Sequence, residues 1–161
     1  MGDIRSSNSS ECGNVENHVE NSKTTLPRIY WPLMNAPTMI AGRCFICGRH
    51  EPLDEHHIVW RSWGQLVRDG RCLPKPTITL CGFGNNLQDA NGRMYCHGLA
   101  HHRMLHFRWH EPTDRSTSTT KQTAWGGGYL EYLLTSKPTK YEDALRMDGW
   151  KKVSLLREEG L

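Results

Sequence analysis

Apolar residues are spread unevenly along the chain, and their spacing changes period several times. Residues 1–25 are rich in Ser, Asn and Glu with hardly any large apolar side chain. Such a segment cannot bury enough surface to offset the entropy of ordering, so a disordered tail is expected. Leu26-Pro27-Arg28-Ile29-Tyr30-Trp31-Pro32-Leu33 is apolar but punctuated by proline, which predicts an extended strap rather than a helix. Residues 54–60 and the β-branched run Thr77-Ile78-Thr79-Leu80 predict two short strands with a loop over 64–76 between them. The Gly and Asn residues of 82–95, including Asn91-Gly92, predict a surface loop. A short helix over 97–104 follows, since His97 and His101 stand four apart and project from one face. Leu105, Phe107 and Trp109 then alternate with His106, Arg108 and His110, the period of a half-buried strand. Residues 129–134 repeat that pattern after a Ser/Thr-rich loop at 112–123, and Thr139-Lys140-Tyr141-Glu142 resembles a capping box that starts a helix ending near Gly149.

The elements predict an α+β chain with no internal repeat. Three parts are expected: a tail or strap over 1–38, a core over 39–110, and an extension over 111–161 whose β-hairpin and helix pack on that core. At 161 residues the chain suits one ordinary domain, and its modest apolar content predicts a small packed centre. The polar first ten residues carry no apolar run, so neither a secretory signal nor a membrane span is expected, and a cytoplasmic location is.

The formal charge is +3, and it is concentrated: residues 41–110 hold nine Lys/Arg against five Asp/Glu, with eight of the nine histidines. A basic, histidine-rich centre suits a polyanion, although so small an excess does not identify nucleic acid by itself.

Six cysteines without an export signal argue for reduced thiols, and the C-x-x-C spacing argues for metal. Cys44-Phe-Ile-Cys47-Gly48 reads as a knuckle, and Cys81 and Cys96 stand at the two ends of the 82–95 loop. Together they can close a tetrahedral zinc shell, and a domain with so small a core usually needs such a staple. Cys12 and Cys72 are left over, each an alternative to one of these four ligands. The alternative is four unrelated buried thiols, and a redox role for Cys44 and Cys47 lacks the surrounding βαβ pattern.

The histidines offer a second, open position. On a strand, adjacent His56 and His57 point to opposite sides, so one can bind a metal while the other addresses a water or phosphate. His97 and His101 can complete that ion's ligands. Asp54 and Glu55 can orient His56 or His57 through a hydrogen bond, or stand as solvated acids. His102 and His106 read as surface or phosphate contacts. Arg61, Arg68, Arg71, Arg93, Arg103 and Arg108 are candidates for phosphate binding, Arg61 foremost because it follows the His-His strand. Trp60 and Trp63 read as packing residues rather than stacking platforms.

A strand with His-His, a second strand and a helix with His, laced by two cysteine pairs, resembles the HNH nucleases of the ββα-metal (His-Me finger) type over about residues 43–107. Leu80-Cys81-Gly82, then Cys96-His97-Gly98 and His101, is similar to the phage and prophage branch, as is Gly149-Trp150. The resemblance implies a metal-dependent DNA endonuclease leaving a 5′-phosphate and a 3′-hydroxyl. His57 would be the general base, and His56, His97 and His101 would hold a divalent ion (Mg²⁺, Mn²⁺, Ni²⁺ or Zn²⁺). DNA is the implied partner, with phage terminase or packaging proteins as further candidates, in a bacterial or phage-infected cell. The family's Asn a few positions before Leu-Cys is missing; Pro76 or Thr77 stands there. Thr77 with its hydroxyl, or Asn85 or Asn86 from the loop, is left to brace the turn. The alternative function is a zinc-stabilised nucleic-acid-binding or phage assembly module without catalysis.

Overall fold

The computed structural model describes residues 26–68, 70–84, 87–111 and 128–154. The 1–25 tail with Cys12, the 112–123 loop, and Asn85 and Asn86 lie outside the described residues. Among those described, the chain is α+β, with three small antiparallel sheets and two short α-helices. None of these helices is long and apolar enough to cross a membrane.

β1 (Leu53–His57) pairs antiparallel with β4 (Thr77–Cys81), in a register running from Leu53 opposite Cys81 to His57 opposite Thr77. Every residue of β4 is buried. Met39 lies on its other edge, exchanging backbone hydrogen bonds with Thr77 and Thr79, so both edges of β4 are paired. Burial of the side chains on both of its faces explains why Thr77-Ile78-Thr79-Leu80 reads as an unbroken β-branched and apolar run rather than an alternating one.

β1 stops at His57, short of the expected 54–60. The Ile58 amide still donates to the Pro76 carbonyl, but proline has no N–H to return, and the ladder ends there. Ile58 and Val59 then both turn into the core. The expected 64–76 loop contains a minimal hairpin, β2 (Val67–Arg68) with β3 (Arg71–Cys72), preceded by a 3-10 turn at Arg61–Trp63.

The strap is not extended. Arg28–Asn35 forms a 3-10 helix. The φ that proline imposes fits a 3-10 turn as well as an extended chain, and tertiary contacts make the choice. The coil drives Leu33 into the core and lays the Tyr30 ring on Trp63, 3.6 Å between centroids.

α1 (Cys96–His101) packs on β4 and leads into β5 (Leu105–His110), which pairs with β6 (Tyr129–Leu134) and through it β7 (Lys151–Lys152). Both helices are shorter than the 97–104 and 139–149 expected. α1 is closed at Arg103, which adopts a left-handed φ of 57°, with its amide on the Ala100 carbonyl and that of Met104 on Leu99. α2 (Tyr141–Ala144) lacks the capping box: Lys140 is its N-cap, and the Thr139 hydroxyl donates to the Lys137 carbonyl instead. What anchors α2 is Tyr141, buried with its hydroxyl donating to the Phe107 carbonyl at 2.9 Å.

Gly98 lets α1 sit against the 82–95 loop. A Cβ there would lie 2.5 Å from the Leu87 carbonyl oxygen, which already accepts the Tyr95 amide. Gly98→Ala is therefore expected to cost about 1–3 kcal/mol through backbone displacement. A lowered thermal midpoint checks this; an unchanged one would show that the loop yields freely.

Candidate metal centres

The turn at 44–48 is closed by the Gly48 amide on the Cys44 carbonyl, with Gly48 at φ 78°, a conformation that favours glycine over residues with a Cβ. It points Cys44 and Cys47 at Cys81, the last residue of β4, and Cys96, the first of α1. The four sulfurs lie within 4.8 Å of one another. Cys47 and Cys81 are 3.6 Å apart, and the Cys96 amide donates to the Cys81 sulfur at 3.2 Å. A tetrahedron of ~2.3 Å metal–sulfur bonds places sulfurs about 3.8 Å apart, so the quartet fits a thiolate-bound ion.

Hydrogen bonds from Cys81 and Cys96 pull the Cys44 thiol far below its ordinary range. The same bonds push Cys96 up, and the Cys44 interaction raises Cys81 to about 12. A dication bound among the sulfurs is what would favour the thiolate form of Cys81 and Cys96. Cys72, exposed on β3, does not join the cluster.

The histidines form a second cluster on the face where β1 meets α1. The two-residue period of β1 turns His56 inward, 5 % exposed, and leaves His57 half-buried on the other side. His97 and His101 lie one turn apart on α1 with their Nε2 atoms 2.9 Å from each other. Their ring centroids stand 5.2 and 5.5 Å from that of His56. One ring nitrogen of each of the three lies within 4.8 Å of the others.

Burial, with the His97, His101 and His57 rings adding to it, pushes the His56 imidazole down to about 3. Burial also lowers His97, against the pull of Asp54. Neutral imidazoles are the metal-binding form. His97 Nδ1 is buried with no hydrogen-bond partner; its nearest carboxylate, Asp54 Oδ2, is 3.7 Å away. Three imidazoles with a carboxylate behind one of them are a donor set suited to a borderline divalent ion with an open coordination position.

Asp54 thus faces His97, not His56 or His57. It shares the α1-facing side of β1 with His56, and its carboxylate also accepts the Gly84 amide. Glu55 points the other way with His57 and accepts the Thr77 hydroxyl at 3.3 Å. Thr77 is itself the register partner of His57.

His57 shares a cavity of about 360 Å³ with His56, His97, His101, Trp60 and Arg61. Burial lowers its pKa, Arg61 and Lys75 lower it further, and Glu55 opposes them. Beyond His57 the surface opens into a larger cleft, about 620 Å³, walled by residues 64–66 and 72–75 on either side of the β2–β3 hairpin. Lys75 lines that cleft, its ammonium donating to the Trp60 and Arg61 carbonyls. Nothing in its sequence neighbourhood marked Lys75; only the return of the chain before β4 brings it to His57.

Of the six arginines expected on phosphate, only Arg61 lines the histidine cavity among the described residues. Arg93 sits in the 82–95 loop, its amide on the Asp89 carboxylate. Arg103 lines a separate cavity on the far side of Trp60. His106 is no surface residue: it is buried, with Nε2 donating to the Arg103 carbonyl at 2.8 Å. His102 is exposed. No family model, curated protein or solved structure matches this chain.

Proposed function

We propose that the chain is a metal-dependent DNA endonuclease whose β1, β4 and α1 form a core of the ββα-metal, HNH type, with zinc in the thiol quartet. The observation supporting it is the convergence of His56, His97 and His101 on one point, with His57 in the same cavity on the next strand position. A neutral imidazole beside a metal position, with an arginine at its mouth, is the equipment for hydrolysing a phosphodiester.

His56, His97 and His101 would hold a divalent ion, which supplies charge neutralisation at the phosphate and its leaving oxygen. His57 takes a proton from a water whose oxygen attacks phosphorus. The bond from phosphorus to O3′ breaks in line, solvent protonates the departing oxygen, and a 5′-phosphate and a 3′-hydroxyl result. Arg61 offers its guanidinium to a non-bridging phosphate oxygen. Lys75 adds positive charge on the other flank of His57, while the Thr77 hydroxyl holds Glu55 in place beside it. Asp54 orients His97 from behind.

Supercoiled plasmid incubated with the purified protein and Mg²⁺, Mn²⁺, Ni²⁺ or Zn²⁺ is expected to be nicked or linearised, and chelator to stop it. Binding without cleavage under every one of these ions would instead favour a non-catalytic nucleic-acid-binding module, the reading to which Thr77 in place of the family's Asn points.

A further inference from the structure

Trp60 is shared by two cavities. One holds the histidines; the other, about 270 Å³, is bounded by Trp60, Trp63 and Tyr141 and has Arg103, Lys140 and Glu142 in its lining. The rings that lead from it to the histidines are nearly parallel: Tyr30 and Trp63 are inclined by 11°, Trp63 and Trp60 by 9°, and Trp60 lies 6.1 Å from the His101 ring. Polar groups in the wall are already committed. The Tyr141 hydroxyl donates to Phe107 and His106 Nε2 to the Arg103 carbonyl. Aromatic rings therefore make up much of a mixed wall, and its charge is confined to three exposed side chains, two of them cationic.

Arg103 adds a second observation. Among the described residues it is the one non-glycine with a left-handed backbone, at a helix end where glycine is the favoured residue. Its backbone is over-determined: the amide donates to Ala100, and the carbonyl accepts from both Thr139 and His106. A strained residue held so firmly beside a cavity suggests a role for its side chain rather than for its backbone.

We propose that this cavity takes one unpaired nucleobase of the DNA, stacked against the tryptophan faces, with Arg103 and Lys140 on its phosphate. The inference rests on the nuclease reading and narrows its substrate to DNA with a single-stranded nucleotide beside the cleavage point. Aromatic rings in the wall match the faces common to all bases, and two cations at its rim match a phosphate. A base within a duplex cannot reach such a cavity without leaving the stack, which a single strand does at little cost.

The test is a titration of the full chain, loaded with zinc, by an eight-nucleotide oligothymidylate and by a blunt duplex of the same length, followed through tryptophan fluorescence. The single strand should quench the emission and bind at least tenfold tighter than the duplex. Arg103→Gly should weaken that binding about tenfold and flatten its salt dependence by about 0.7 in log–log slope, one lost phosphate contact. Its thermal midpoint should hold or rise, because glycine suits φ 57°. Lys140→Ala, at an exposed position, repeats the measurement if that variant does not fold. Trp60→Phe should keep the affinity and lose part of the quench. Equal binding of both DNAs, or unchanged affinity in the Arg103 and Lys140 variants, or unchanged quench in the Trp60 variant, would overturn the proposal. Plasmid left intact by every divalent ion while the single strand still quenches would sink the nuclease reading alone; cleavage without single-strand preference would sink the base site alone.

Discussion

His57→Ala is expected to slow plasmid cleavage by about 10²–10⁴-fold, the usual contribution of a positioned general base, while leaving the fold and the metal content unchanged. His57 is half-buried on the β1 face opposite the ion cluster, so its removal opens no cavity in the core. His56→Ala should also abolish cleavage but by another route, since it removes the buried imidazole proposed as a ligand and should lower metal affinity as well. Single-turnover rates and metal content measured side by side separate the two. Cleavage undiminished in His57→Ala would remove the base from the proposed mechanism, and metal lost from that variant would make it a ligand instead.

Cys44→Ser should abolish the cooperative thermal transition. In metal-stapled domains, binding of about 10–16 kcal/mol is folding free energy, comparable to or larger than the whole net stability of about 5–15 kcal/mol of a typical domain. Cys44 is fully buried, and its sulfur gathers the hydrogen bonds of Cys81 and Cys96. The four sulfurs bring the 44–48 turn together with the end of β4 and the start of α1, and a zinc ion among them would tie the three. Losing the staple therefore also disperses His97 and His101 from His56. Scanning calorimetry, near-ultraviolet dichroism and zinc content report on this together. A variant that melts within a few degrees of the parent while holding no zinc would show that the quartet is incidental to stability.

Much of the local structure could be read from the residues. The alternation in 105–110 and 129–134 appears as β5 and β6, and the dense β-branched run as the buried β4. The spacing of Cys44, Cys47, Cys81 and Cys96 named the four thiols that cluster, and His56, His97 and His101 converge likewise. Element ends were less legible. β1 ends where Pro76 can no longer donate, α1 where Arg103 turns left-handed, and α2 forms without the capping box because Tyr141 is held by the core. The 28–35 segment coils instead of extending because Leu33 and Tyr30 find partners distant in the chain.

From the sequence alone came the chemistry: which donor atoms exist, how thiols pair at short spacing, and which face of a strand or helix each imidazole occupies, all set by covalent geometry and the 2.0 and 3.6 periods. Tertiary structure alone decided which of those faces meet. It turned Asp54 to His97, brought Lys75 to His57, sent Arg103 to the cavity beyond Trp60 and buried His106 against a carbonyl. These are contacts between segments far apart in the chain, chosen by packing and hydrogen-bond satisfaction that no local period encodes.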